Sequence, residues 1–219
     1  MNNIVILPGD DYTKELHSHF INFLKSNNFK VCWVPLMEDS YESVSYEDLE
    51  SKNYVKYINS FIPPDFTRFI LYGISKGAHL AKIYASYNYN KVVKLILCED
   101  TMLNPNLMEK YEVDRGNDFI IDMKNNNYED ETLDNTKKML DVSVSDKNHY
   151  FPKCPINIIW TSRNNQNEPY DETVLSLKRK YVNYLKNGGC RVKVFNIDAI
   201  HTLDLEQKYF PFLLKVIRS

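Results

Sequence analysis

Residues 67–78 read Thr-Arg-Phe-Ile-Leu-Tyr-Gly-Ile-Ser-Lys-Gly-Ala, an apolar run followed by the pattern Gly-x-Ser-x-Gly. The run predicts a buried strand, and the following residues carry apolar side chains at helical spacing, so Ser75 lies on a strand-to-helix turn. Such a turn is tight and strained, which requires small residues such as Gly73 and Gly77 two positions from the serine. The chain has only six glycines. A shuffled version would contain about 0.01 copies of the pattern, so chance explains it poorly.

The rest of the sequence alternates apolar strands with amphipathic helices. The predicted strands are Asn3–Leu7, Phe29–Pro35, Thr67–Tyr72, Lys91–Cys98, Pro155–Thr161 and Cys190–Asn196. The predicted helices are Thr13–Asn27, Tyr46–Ile62, Lys76–Tyr87, Asp171–Lys186 and Leu203–Ile217. Continuous apolar strands that alternate with helices are typical of a parallel sheet covered on both faces. The sequence therefore predicts an α/β fold with a six-stranded, mostly parallel sheet and helices on both faces.

Length and composition indicate a globular protein with one domain, residues 1–219. The chain has 27 Lys and Arg against 29 Asp and Glu, so it lacks the basic excess of a nucleic-acid-binding protein. Its four cysteines occur singly, without metal-ligand spacing, which favours reduced thiols in a cytoplasmic protein without a metal or cofactor. The first nine residues have no basic region and only a short apolar run, so we expect neither a signal peptide nor a membrane span.

Residues 101–153 interrupt the alternation between the fourth and fifth strands. This segment is polar, rich in Asn, Asp and Glu, and too long for an ordinary connection, which favours a lid over a functional site. Because the strand-helix pattern resumes afterwards, the segment is an insertion within the domain and not a linker between domains. We expect part of it to cover Ser75 and to form a wall of the substrate pocket. The residues expected to bind substrate are Met102, Leu103, Leu107, Met108 and Tyr111.

Side chains suited to nucleophilic catalysis follow several of the predicted strands. Ligands of open parallel sheets bind at the carboxyl ends of the strands. Ser75, the pair Glu99-Asp100 and His201 all come after strands that end at this edge. A histidine there could take the proton of the serine, and an acid could orient the histidine. The other histidines, which do not follow a strand at this edge, are His17, His19, His79 and His149.

On these residues the chain resembles the α/β-hydrolases, which hold the serine in a nucleophile elbow and carry the histidine near the C-terminus. The resemblance runs from the third strand of that fold to its last helix, as in the most compact members. It implies a Ser–acid–His triad in which Ser75 is the nucleophile and His201 the general base that later protonates the leaving group. It also implies an oxyanion hole formed by the backbone N–H groups of Lys76 and Asp10.

The acid of the triad departs from the common pattern. Most relatives carry an Asp in the loop after the fifth of these strands, where this chain has Asn165. Thioesterase domains of peptide and polyketide synthetases, which residues 93–100 resemble, take the acid from the end of the preceding strand. That resemblance favours Glu99 or Asp100, only one of which can face the histidine, because alternate residues of a strand point to opposite faces. The options that stay open are Glu168, Asp171 or no acid at all.

Two local resemblances favour thioester chemistry. Gly73–Ala78 is similar to the elbow of acyl-CoA thioesterases and bile-acid acyltransferases, and Lys76 could contact the phosphates of a pantetheine carrier. The sequence thus predicts a serine hydrolase that cleaves a small-molecule carboxylic ester or thioester through an acyl-enzyme on Ser75, with a carrier-bound substrate as one option. The alternative is a binding or regulatory protein of this fold with a degenerate triad, suggested by Asn165 and by the acidic residues 10–11.

Overall fold

Six strands form one sheet in the computed structural model of the protein, which describes residues 2–9, 13–35, 51–99, 151–163, 169–170 and 172–219. The strands are β1 (Asn2–Leu7), β2 (Phe29–Trp33), β3 (Phe69–Ile74), β4 (Val92–Cys98), β5 (Ile156–Thr161) and β6 (Val192–Ile197). Their order is β2-β1-β3-β4-β5-β6, and every neighbouring pair is parallel. The predicted six-stranded α/β sheet is confirmed, and it is parallel throughout.

Five helices connect and follow these strands in the described part of the chain. They are α1 (Ser18–Ser26), α2 (Ser51–Phe61), α3 (Lys76–Tyr87), α4 (Glu172–Asn187) and α5 (Phe210–Arg218). Each corresponds to a predicted helix. At their C-terminal ends, α2 stops before the proline pair at 63–64, which cannot continue a helix, and α4 stops before two glycines.

Two helices begin later than the apolar spacing predicts. Residues 14–17 form turns, so α1 begins at Ser18. The predicted helix Leu203–Ile217 consists of two short 3₁₀ turns, Leu203–Leu205 and Gln207–Tyr209, before α5 begins. Proline lies in the first turn of α5, where its missing N–H is tolerated, and this favours a helix start at that point. The apolar spacing correctly predicted which side chains are buried, but it wrongly predicted that one continuous helix carries them.

Alternate residues of the strands pack against different helices. In β1, Val5 and Leu7 join the cluster that includes α2, α3 and α4, whereas Ile4 and Ile6 join the cluster that includes α1 and α5. All four side chains are almost fully buried. A fully buried aliphatic side chain of this size contributes about 1.5–3 kcal/mol. Two cores, one on each face, therefore hold the sheet rigid and fix the positions of its strand ends.

The carboxyl ends of the strands form the edge at which ligands bind in such sheets. The chain passes from β1 to β2 on one side and then returns to β3 on the other, so the strand order reverses beside β1. The predicted lid over this edge falls almost wholly outside the described residues, which include only 151–153 of the segment 101–153. No helix within the described ranges is long and apolar enough to cross a membrane.

Candidate active site

Ser75 occupies the strained turn between β3 and α3. Its backbone has φ 52° and ψ −119°, a conformation that costs a non-glycine residue on the order of 1–3 kcal/mol. The turn is held on both sides: the Ser75 N–H donates to the Cys98 carbonyl at 2.8 Å, and the Ser75 carbonyl accepts from the Ala78 N–H at 2.9 Å. These bonds join the turn to the end of β4 and to the first turn of α3, so the serine has a fixed backbone.

The two glycines of the motif leave room for close backbone packing. A Cβ atom on Gly73 would lie 2.5 Å from the Cα of Ala78, and one on Gly77 would lie 2.2 Å from the carbonyl oxygens of Leu7 and Pro8. Real Cβ atoms do not approach backbone atoms so closely. The first turn of α3 therefore packs directly on the end of β1, and its N–H groups, which have no partners within the helix, lie beside Ser75.

Glu99 follows β4 at the position next to this turn. Ile74 pairs with Cys98 across β3 and β4, so the residues that follow them, Ser75 and Glu99, end neighbouring strands. Glu99 has a positive φ of 51°, and its side chain is 3% exposed. Its carboxylate accepts hydrogen bonds from the backbone N–H of Thr161 and from the hydroxyl of Tyr170, the latter at 3.0 Å. A buried carboxylate with several donors is held in one orientation.

His201 contacts this carboxylate. Its Nδ1 lies 3.4 Å from Oε2 of Glu99, and its side chain is 11% exposed. An ionised carboxylate only accepts hydrogen bonds, so Nδ1 carries the proton and Nε2 is left as the basic nitrogen. The structure thus brings Glu99 and His201 into contact at the sheet edge where Ser75 lies.

The segment that carries His201 is attached to the loop after β5. The N–H of Ser162 donates to the carbonyl of Ile197 at 3.0 Å, and the N–H of Arg163 donates to the carbonyl of Ala199 at 3.2 Å. The Arg163 guanidinium also pairs with the carboxylate of Asp198 at 2.9 Å. These contacts continue the β5–β6 pairing beyond the strands. They also fix residues 197–199, which lead to the histidine.

Lys178 is a second partner of Glu99, and sequence reasoning missed it. Its ammonium lies 3.4 Å from both carboxylate oxygens, and its side chain is only 7% exposed. The lysine belongs to the inward face of α4, three, four and seven residues before the buried Tyr181, Val182 and Leu185. A lysine at a core position of a helical pattern is the sequence signal that would have identified it.

Charge and burial act in opposite directions on these groups. Burial raises the pKa of Glu99, but the hydrogen bond from His201 and the charge of Lys178 outweigh it and leave this pKa below its ordinary value. Burial lowers the pKa of Lys178, and the carboxylate of Glu99 opposes that change. Glu99 is therefore an ionised carboxylate at neutral pH, and it faces two cation-forming side chains.

A further buried pair lies close to His201 in the chain. Nε2 of His17 is 2.6 Å from Oδ2 of Asp204, and both side chains are fully buried. Nδ1 of His17 lies 3.2 Å from the carbonyl of Thr13. This pair joins the start of α1 to the 3₁₀ turn that follows His201, so His17 has a structural partner and is not part of the Glu99 cluster.

Several predicted site residues lie outside the described part of the chain. Among the four candidates for the acid, Glu99 is described, and the backbone of Lys76 is described as the first residue of α3. The predicted site residues outside the described ranges are Asp10, Asp100, Met102, Leu103, Leu107, Met108, Tyr111, Asn165, Glu168 and Asp171. Their predicted roles stay predictions.

A cleft of about 710 Å³ lies between α4 and β6. Trp160, Lys178 and Asn196 are among its lining residues, whereas Ser75 and His201 are not. The cleft therefore shares Lys178 with the Glu99 cluster but is lined by neither of the other two proposed catalytic side chains. No group of three or more His, Cys, Asp or Glu side chains in the described ranges is arranged to hold a metal ion.

No protein-family model matches the sequence, and a search of curated proteins finds no match. Solved structures do match over almost the whole chain. The α/β-hydrolase enzyme MGS-MChE2, from the metagenome of lagoon sediments at Mar Chica, Morocco, has a TM-score of 0.67 and 20% sequence identity, and the match covers 99% of this chain and 90% of that one.

Two further structures come from esterases of different substrate classes. The carboxylesterase CesB of Bacillus subtilis has a TM-score of 0.61 at 14% identity, with coverage of 99% of this chain and 83% of that one. The thioesterase domain from the curacin biosynthetic pathway has a TM-score of 0.57 at 12% identity, with coverage of 100% and 91%. The chain therefore has the α/β-hydrolase fold, as the sequence predicted.

Proposed function

We propose that this protein is a serine hydrolase that cleaves a carboxylic ester or thioester through an acyl-enzyme on Ser75. The observation that carries the proposal is the contact between the Glu99 carboxylate and Nδ1 of His201. It occurs at the sheet edge where Ser75 occupies a strained Gly-x-Ser-x-Gly turn. A nucleophile, a base and an orienting acid are the three groups that acyl transfer through a serine requires.

The proposed reaction begins with proton transfer from Ser75 to Nε2 of His201. The serine oxygen attacks the substrate carbonyl, and the resulting oxyanion accepts hydrogen bonds from the backbone N–H groups of Lys76 and Asp10. The imidazolium, stabilised by Glu99, then protonates the leaving alcohol or thiol as the carbonyl–heteroatom bond breaks. Water, deprotonated by the same histidine, hydrolyses the acyl-enzyme and restores the serine.

Glu99 is the proposed acid in preference to Asp100, Glu168 and Asp171. Its carboxylate is buried and ionised, and it already contacts the nitrogen that the mechanism requires it to face. The binding-protein alternative was motivated by Asn165, at the position where most relatives carry the acid, and by the acidic residues 10–11. A carboxylate from the end of β4 answers the first of these motives, because the triad then does not need an acid from the loop after β5.

A thioester is the proposed substrate within this class. An acid at the end of β4 is the arrangement that the sequence shares with the thioesterase domains it resembles, and residues 73–78 resemble the elbow of acyl-CoA thioesterases. The match to the curacin thioesterase domain supports the same choice. We further propose that the protein acts in the cytoplasm, where its four buried free thiols would stay reduced.

Labelling with a fluorophosphonate probe tests the nucleophile without any assumption about the substrate. The wild-type protein should label, and Ser75→Ala should not. Ser162→Ala is the matched control, because Ser162 is an exposed serine at the same sheet edge, bonded to Asp198 at 2.6 Å. Labelling that persists in Ser75→Ala, or a folded wild type that never labels, would refute the proposed nucleophile.

Substrate class is tested separately with matched acyl donors. The kcat/KM for a short acyl-CoA thioester should exceed the kcat/KM for the oxygen ester of the same acyl group after both are corrected for their uncatalysed hydrolysis rates. A preference for the oxygen ester would leave the serine hydrolase proposal intact and remove the thioester assignment.

A further inference from the structure

Lys178 is a buried cation with no role in the common serine mechanism. Its ammonium donates to both oxygens of Glu99 and lies 3.4 Å from the carbonyl of Thr161. It sits 4.0 Å from the ring centroid of Tyr170 and 5.6 Å from that of Trp160. Because aromatic rings attract cations through their faces, the ammonium occupies a site that holds it charged although it is removed from water.

Glu99 therefore has two cationic partners when His201 is protonated, and one when His201 is neutral. Nδ1 of His201 and the ammonium of Lys178 lie at the same distance from Oε2, 3.4 Å each. The single negative charge of the carboxylate is already balanced by Lys178 before the imidazole takes a proton. A positive charge so close to the histidine disfavours a second positive charge on the ring.

We infer that Lys178 is a positioning residue that acts through Glu99: its ammonium fixes the carboxylate that His201 contacts and, by its charge, opposes a second positive charge on the imidazole. The catalytic consequence rests on the proposed function, whereas the electrostatic effect on His201 does not. The arrangement therefore gives up part of the stabilisation that Glu99 would otherwise give to the imidazolium.

Other ionisable groups of the described residues lie around this contact. The last residue of β4 contributes the Cys98 thiol, Glu99 follows it directly, α4 contributes Lys178, and the segment before α4 contributes the Tyr170 hydroxyl. Asp204, after His201, acts on Cys98 by its charge, but its own carboxylate is paired with His17. Lys178 is thus the cation through which the effect on His201 is tested.

Histidine NMR measures this effect directly. The Cε1–H resonance of His201, identified by its loss in His201→Asn, is followed through a pH titration in each protein. In Lys178→Met the titration midpoint of His201 should rise by about one pH unit or more, because a buried positive charge has been removed from its neighbourhood. Lys178→Gln also removes the charge but keeps a hydrogen-bond donor for Glu99, so the midpoint of His201 should rise in the same way. This variant replaces Lys178→Met in the titration if the methionine variant folds poorly.

Two controls separate charge from packing. Lys178→Arg keeps the charge and should retain the wild-type midpoint. Arg179→Met removes a positive charge from the adjacent, exposed position of α4, where it pairs with Glu172, and should leave the midpoint unchanged. A midpoint in Lys178→Met and Lys178→Gln equal to that of the wild type would overturn the inference, because a merely structural lysine would give that result.

Enzyme kinetics tests the consequence for the proposed reaction. The acid limb of the kcat/KM profile should move to higher pH in Lys178→Gln and stay in place in Arg179→Met. A wild type without hydrolytic activity, combined with the expected NMR shift, would refute the proposed function and leave the electrostatic role of Lys178 supported. An active wild type with an unmoved acid limb and an unmoved NMR midpoint would refute the inference alone.

Discussion

Removing the histidine of the buried His17–Asp204 pair should strongly destabilise the fold. In His17→Leu the carboxylate would stay fully buried. Oδ1 of Asp204 has no hydrogen-bond partner among the described residues. The contact between Oδ2 and His17 is therefore the hydrogen bond that the carboxylate would lose. Leaving a buried carboxylate without its partner costs about 3–5 kcal/mol. For a chain of this length that corresponds to a fall in Tm of about 10 °C, measurable by urea and thermal unfolding.

Two companion variants make the result specific. His17→Leu/Asp204→Leu removes both polar side chains and should recover most of the lost free energy of unfolding, because no unpaired carboxylate stays buried. Lys30→Met breaks the exposed Lys30–Asp65 pair and should cost at most about 1 kcal/mol. A cost below about 1 kcal/mol for His17→Leu would show that Asp204 is neutral or solvated, and would refute the reasoning.

Three further predictions concern the sheet edge. Gly77→Ala should destabilise the protein by about 3 kcal/mol in urea unfolding, because its Cβ would collide with the carbonyls of Leu7 and Pro8; a loss under about 1 kcal/mol would contradict the close packing. Glu99→Gln should lower kcat by about 10³–10⁴-fold, since an amide stabilises the imidazolium of His201 poorly, and an unchanged kcat would move the acid elsewhere. The pKa of Glu99 is depressed in the folded protein, so the stability difference between wild type and Glu99→Gln should shrink as pH falls below 4.5.

The strands could be predicted from the sequence because they are buried on both faces. The run Val92–Cys98 is apolar except at Lys94, and a short apolar run of this kind is typical of a strand inside a parallel sheet. The helix predicted at 203–217 was wrong over its first seven residues, because apolar spacing reports which side chains are buried and not whether the backbone bonds are helical. Residues 203–209 bury Leu203 and Asp204 in 3₁₀ turns instead.

The part of the site that could be predicted consists of residues that follow parallel strands, because the ends of these strands lie at one edge of the sheet. The rule that ligands bind at the carboxyl edge led to Glu99 and His201, which are in contact there, while their catalytic roles stay a prediction. Sequence reasoning did not identify Lys178, because a lysine within a helical pattern is usually exposed to solvent. His17 and Asp204 are 187 positions apart in the sequence, so no local pattern predicts their hydrogen bond.

His201 follows the outermost strand of the sheet, whereas Ser75 and Glu99 follow strands that have neighbours on both sides. β6 bonds only to β5, and its side chains are half-buried or exposed. Outer strands open at a lower free energy than central ones. Under mild denaturation we therefore expect the histidine to leave its position while the serine and the glutamate keep theirs. The proposed hydrolysis would then cease before the protein lost its secondary structure.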